Sequence, residues 1–106
     1  MNTNGDAGRW GALGDSTRLA IVARLAEQPQ AVGQLAAGLP ISRSAVSQHL
    51  KILKDAGLVE DTAAGTRRIY RLNPVGLAAL RDQLDTYWQR ALARYSDTAE
   101  APTEEG

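Results

Sequence analysis

The chain has no cysteine in its 106 residues, which excludes disulfides, thiolate metal ligation and thiol redox switching. It also lacks any apolar run approaching the roughly 18 to 20 residues of a membrane span, and no basic, apolar, small-residue leader opens it. The expectation is a cytoplasmic protein with no membrane partner. Histidine occurs once, at His49, and a lone imidazole cannot build a tetrahedral metal site. Net charge is absent too, with 12 basic and 12 acidic residues, which argues against a non-specific polycation. No carboxylate pair suggests catalysis, and no serine or lysine sits beside a credible base, so no enzyme is expected. The length allows one domain with a modest core and favours dimerisation as a source of further buried area.

What is present is unevenly placed. From Pro40 to Leu72 the six cations Arg43, Lys51, Lys54, Arg67, Arg68 and Arg71 face only Asp55, Glu60 and Asp61, a net charge of +3. From Asn73 onward three arginines face six carboxylates, a net charge of −3. Ten of the twelve basic residues are arginine and alanine is abundant, a composition that hints at a GC-rich bacterial genome.

Residues 1–5 are small and polar and are expected to be disordered. Residues 97–106 read as a disordered acidic tail, with Pro102 and no core residue after Tyr95. Residues 6–96 form the folded domain, mainly α with a small β-hairpin: four helices, two strands and a last helix. A short first helix runs from about Asp6 to Leu13, with Trp10 and Leu13 as its apolar contacts. Asp15 caps a second helix whose core face is Leu19, Ile21, Val22 and Leu25, ending before Pro29. A third spans about Val32 to Ala37, with Val32, Leu35 and Ala36 inward, and Gly38 and Pro40 break it.

The segment from Ile41 to Leu53 is the most informative. Val46, Leu50 and Leu53 follow the i, i+4, i+7 spacing of one buried helical stripe, with Ala45 at its edge. Arg43, Ser44, Ser47, Gln48 and Lys51 are left on the outer surface; all donate hydrogen bonds, Ser and Gln also accept them, and none is acidic. Ser42 is placed to cap this helix, and Gly57 to end it in a left-handed conformation that returns Leu58 toward Leu53. The third and fourth helices thus make a helix-turn-helix. A polar stripe is usually only a solvated face, but here the second helix of the motif carries it, where DNA-reading helices carry theirs. Gln48 and Arg43 suit base edges, Gln for adenine and Arg for guanine, while Ser44 and Ser47 suit phosphates.

Leu58 to Asp61 and Arg67 to Leu72 are expected strands about a turn at Thr62 to Thr66, where Gly65 permits the reversal. This is a wing. Arg68, Tyr70 and Leu72 share one face of its second strand, with Tyr70 and Leu72 packed on the domain. Arg67 and Arg68 stay free near the tip, suited to a minor groove or flanking phosphates. Asn73-Pro74 starts the last helix, which should run to about Tyr95. Leu77, Leu84 and Ala91 repeat every seven residues along it, Leu80 and Tyr87 form a companion seam, and Trp88, Leu92 and Tyr95 widen the stripe. So long a stripe exceeds what one small domain can cover. The surplus reads as a homodimer surface, made of Leu77, Leu80, Leu84, Tyr87, Trp88 and Ala91 together with Trp10 and Leu13. The aromatic residues could alternatively line a small-molecule pocket at that seam.

The order and spacing of these pieces resemble the ArsR/SmtB family of bacterial winged helix-turn-helix repressors. The matching segments are Ala12-Leu13-Gly14-Asp15-Ser16-Thr17-Arg18, Ser47-Gln48-His49-Leu50-Lys51-Ile52-Leu53, Gly57-Leu58-Val59 and Gly65-Thr66-Arg67-Arg68-Ile69-Tyr70-Arg71-Leu72. Ser16 stands where many members have proline. The resemblance implies a homodimeric repressor of its own promoter or a neighbouring gene, with double-stranded DNA as partner, association with the nucleoid when bound, and His49 beside the DNA. The Ser42, Arg43, Ser44, Ser47, Gln48, His49, Lys51, Arg67 and Arg68 side chains form the expected contact set. The family's metal-sensing Cys-x-Cys falls on Ala31-Val32-Gly33, and the last helix carries Asp82 and Asp85 but no histidine. The chain therefore resembles the metal-independent members, with no cofactor expected. Two other readings remain: a winged-helix module that binds a protein partner, and a sensor of a small ligand or metal through an unorthodox site.

Overall fold

A computed structural model describes residues 2–100, with side chains described over 8–96. Five helices and three short strands alternate along the chain: α1 (Asn2–Leu13), α2 (Ser16–Glu27), β1 (Gln30–Ala31), α3 (Val32–Ala37), α4 (Arg43–Asp55), β2 (Val59–Ala64), β3 (Arg67–Leu72) and α5 (Pro74–Glu100). Both outer helices run further than their residue patterns imply. α1 begins at Asn2 rather than about Asp6, and α5 continues through Glu100 rather than ending near Tyr95. The rest of the acidic tail, 101–106, lies outside the described residues.

Local chemistry sets the helix ends. The Asp15 carboxylate accepts from the backbone N–H of Thr17 at 2.8 Å and of Arg18 at 3.1 Å. Those bonds, the Arg18 one foremost, hold its pKa below the ordinary aspartate value. Ser42 Oγ accepts from Ala45 N at 3.1 Å to open α4. At the other end Gly57 takes φ +80°, and the N–H groups of Gly57 and Leu58 reach back to the carbonyls of Lys54 and Leu53, each at 2.9 Å. This pair of bonds is a Schellman cap. Asn73 Oδ1 then accepts from Val75 N at 2.9 Å to start α5.

The core forms where α1, α2, α3 and α4 converge on β2, with Ala12, Ile21, Leu25, Leu35, Val46, Leu50, Leu53, Leu58 and Val59 buried together. Tyr70, Leu72, Leu77 and Leu80 pack against its margin. Leu19 departs from the expected core face and is 49% exposed. Ala12 takes an inward position instead, 3% exposed.

The sheet has three strands in the order β1-β3-β2, all antiparallel. β1 had no signal in the sequence; it pairs Gln30 with Tyr70 and Ala31 with Ile69. The hairpin is also tighter than the residue pattern implies. Ala64 pairs with Arg67, leaving Gly65 and Thr66 as a two-residue loop in which only Gly65, at φ +66°, is left-handed. That sign pattern belongs to a type II′ turn.

Candidate nucleic-acid interface

The buried stripe of α4 fixes which of its side chains face out. Val46, Leu50 and Leu53 are fully buried, and each such side chain contributes about 1.5–3 kcal/mol to folding. The opposite face is thereby held toward solvent. Arg43, Ser44, Ser47, Gln48 and Lys51 are all exposed, and Lys51 pairs with Asp55 one turn along at 3.2 Å. The side chains of Ser44, Ser47 and Gln48 have no hydrogen-bond partner among the described residues, so their donors and acceptors are open to an external one. Ser42 differs, because its hydroxyl oxygen is already accepting the helix cap bond.

His49 lies half-buried at the edge of this face, where Arg18 of α2 approaches its ring. Arg18 Nη1 stands 3.2 Å from His49 Nδ1, and Arg18 Nε donates to the Ala12 carbonyl at 2.6 Å. A guanidinium can only donate, so Nδ1 accepts and the proton of the neutral ring sits on Nε2. The imidazole therefore presents an N–H donor on its far edge. Arg18 closes one of the segments that carry the family resemblance, but no local pattern pairs it with His49, 31 residues away.

The wing corrects one expectation. Its arginines are not free, because each has a partner inside the protein. Arg68 is ion-paired with Asp61, which also binds Lys54 Nζ at 2.8 Å. The Asp61 side chain is 3% exposed while its two cations remain more than half exposed, so they enclose it at the surface rather than in the core. The Lys54 bond first and the Arg68 bond second hold the Asp61 carboxyl below its ordinary range, and Asp61 raises both cations in return. Arg67 Nη2 donates to Gln34 Oε1 at 3.2 Å, an oxygen that also accepts from Ala31 N at 2.8 Å. The Arg43 guanidinium reaches α3: a Cβ on Gly33 would lie 3.0 Å from its Nη2. The structure thus gathers Arg43 and Arg67 beside α3 and leaves Ser44, Ser47, Gln48 and Lys51 as the outward face of α4.

The expected dimer residues divide into two groups. Leu13, Leu77 and Leu80 pack on the protomer's own core, and Trp10 Nε1 donates to Gln83 Oε1 of α5. Further along α5, Leu84, Tyr87 and Trp88 are exposed, at 54%, 50% and 60%, as are Leu92 and Tyr95. Ala91 is half-buried.

A helix-turn-helix followed by a two-stranded wing, with an acid-free polar face on the second helix, defines a winged-helix DNA-binding protein. The family described as bacterial regulatory protein, arsR family, matches residues 15–61. The chain is 64% identical over 87 residues to the HTH-type transcriptional regulator Rv2034 of Mycobacterium tuberculosis, covering 82% of this chain and 81% of that one. It belongs to the ArsR family and is a DNA-binding transcriptional regulator, not an enzyme. The HTH-type transcriptional repressor SmtB of M. tuberculosis is 44% identical over 61 residues, 58% of this chain and 45% of that one. Among solved structures, the homodimeric winged helix-turn-helix DNA-binding domain Mb0332 of Mycobacterium bovis superposes with a TM-score of 0.69 at 29% identity, covering 87% of this chain and 85% of that one. Among the described residues no helix is long and apolar enough to cross a membrane.

Proposed function

We propose that the protein is a homodimeric repressor that occupies an inverted repeat in double-stranded DNA, with half-sites about one helical turn apart, and acts by occluding RNA polymerase at its own or a neighbouring promoter. The observation that carries this reading is the outward face of α4, where Ser44, Ser47 and Gln48 are exposed and unpartnered inside the protein. Gln48 reads a base edge, the serines and Lys51 hold phosphates, and His49 contributes the N–H that Arg18 leaves on its far edge. Ser42 caps the reading helix, and Arg67 and Arg68 follow the flanking backbone from the wing. The repressor relative and the homodimeric relative support the sign of regulation and the assembly. The exposed apolar length of α5 supplies a surface for the second copy, and the bound complex is part of the nucleoid.

Regulation is proposed to be independent of metal, because Ala31-Val32-Gly33 offers no ligand atom in its side chains. A mobility-shift titration on the DNA upstream of the protein's own coding sequence tests both parts. The expected result is a sequence-dependent complex that weakens with salt and is unchanged by added zinc. Absence of such a complex would sink the reading, and release by zinc would sink its metal-independent part.

A further inference from the structure

Beside the reading head lies a cleft of about 540 Å³, between the start of α3, the start of α4 and the wing. That volume is within the range of small-molecule sites. Its lining combines apolar surface from Ala31, Val32 and Tyr70 with Arg43, Arg67 and Arg68; no carboxylate lines it. Arg68 is neutralised by Asp61, but Arg67 meets only an amide oxygen and Arg43 has no hydrogen-bond or ion-pair partner among the described residues. Two uncompensated guanidiniums therefore share the cleft with apolar side chains. Gly33 borders the cleft close to the Arg43 guanidinium, whose Nη2 lies 3.0 Å from where a Gly33 Cβ would stand, so a larger side chain there would enter the cleft or move the guanidinium aside.

We propose that this cleft binds a small organic oxyanion, a phosphate or carboxylate head on a short apolar or aromatic body. The head takes forked hydrogen bonds from Arg43 and Arg67, a geometry guanidinium offers to both kinds of oxyanion. The body lies on Val32 and Tyr70. Because both arginines belong to elements that face DNA in the proposed function, a consequence that rests on that reading follows: the anion competes with operator phosphates and lowers operator affinity.

The test is an amide-shift titration of the 15N-labelled protein with phenyl phosphate, without DNA and at constant ionic strength. Saturable shifts are expected at Ala31 to Gln34 and at the Arg43 and Arg67 Nε–H groups. Inorganic phosphate, lacking the body, should bind at least tenfold more weakly, and Arg67→Ala should weaken phenyl phosphate by roughly tenfold or more. Gly33→Leu, which fills the cleft, should abolish the shifts, with amide dispersion elsewhere reporting that it folds. Shifts no larger than those from chloride, or shifts that persist in a folded Gly33→Leu, overturn the site; equal binding of inorganic phosphate overturns its organic part. In the second arm phenyl phosphate should release operator from the wild type and not from Gly33→Leu. Operator binding without any titration of the cleft overturns this proposal alone. Titration of the cleft without operator binding upholds the site and counts only against the DNA reading.

Discussion

Gln48 and His49 sit side by side on one helix, yet they owe their exposure to different causes. Gln48 projects because Val46, Leu50 and Leu53 bury the far side of α4, and that periodicity can be read from the residues alone. His49 is half-buried and owes its state to Arg18, which comes from another helix and which nothing in the sequence pairs with it. For Gln48→Ala the expected loss is about 1–3 kcal/mol of operator affinity, with relaxed discrimination at one base pair. Titrating the variant against operators substituted one base pair at a time checks it; an equal loss on every operator would place Gln48 on a phosphate. For His49 the informative measurement is a double-mutant cycle. If Arg18 acts by setting the ring, Arg18→Ala and His49→Ala each weaken binding and the double variant is little worse than either, a coupling of about 0.5–3 kcal/mol. Additive losses would mean that Arg18 touches DNA independently.

At the scale of elements, the joint between α4, the wing and α5 holds the reading head to the rest of the domain. Asn73 N donates to the Leu58 carbonyl at 2.9 Å, and the first turn of α5 crosses the cap of α4 so closely that a Cβ on Gly76 would overlap the Gly57 carbonyl oxygen. Backbone cannot yield as a side-chain tip can. Gly76→Ala is expected to destabilise the fold by about 1–3 kcal/mol or more, as overpacking does, visible in urea denaturation as a lower midpoint at unchanged slope. Asp61 ties the other side of the joint by binding Lys54 of α4 and Arg68 of β3. Its pKa is depressed below the ordinary value of 3.8, so the unfolded chain takes up the proton first as pH falls. The stabilisation is therefore complete above the ordinary carboxyl range and is lost as pH drops through the folded value. Thermal melts of wild type and Asp61→Asn should be separated at pH 6 and converge towards pH 3; a gap that stays constant would show that the ion pairs contribute nothing. Asp15, depressed as well, acts equally in both proteins and cancels. The joint also shows where residue patterns stop being informative. Gly57, Asn73 and Pro74 are local signals and mark their boundaries directly. Ala63 and Ala64 have low strand propensity, so the local pattern widens the turn to Thr62 to Thr66, whereas pairing with β3 carries β2 to Ala64. The true register pairs Asp61 with Tyr70 and Ala63 with Arg68, which brings Asp61 diagonally across from Arg68; a turn over Thr62 to Thr66 would have set Asp61 opposite Arg67 instead. β1, two residues long, exists only through its pairing with β3.

As a whole the molecule is not a sphere. Its Cα radius of gyration is 18.3 Å and its extents are 65 × 32 × 20 Å, whereas a compact chain of this length has a radius of about 13 Å. The excess comes from α5, whose 27 residues span about 40 Å. Its first turns lie on the core through Leu77 and Leu80. Its later turns carry Leu84, Tyr87, Trp88, Leu92 and Tyr95 away from the core, all about half exposed or more. The heptad spacing makes that surplus visible in the sequence, but not the point along α5 where protomer core gives way to free surface; that depends on how far the domain reaches. Trp88, at 60% exposure, lies beyond that point, so Trp88→Glu should spare the protomer fold and strike the dimer alone. Sedimentation equilibrium is expected to show a dimer for the wild type and a monomer for the variant, with the helical circular dichroism per residue largely kept. The two forms should also differ in how salt acts on DNA binding. If each protomer neutralises about four phosphates, the wild-type log-log slope against salt is roughly −7, at ~0.9 per phosphate, and a monomer on one half-site falls to roughly −4. A variant that stays dimeric would move the interface off this stripe. A monomer that kept the steeper slope would mean that one reading head already makes all the phosphate contacts, and that the second copy adds nothing to DNA binding.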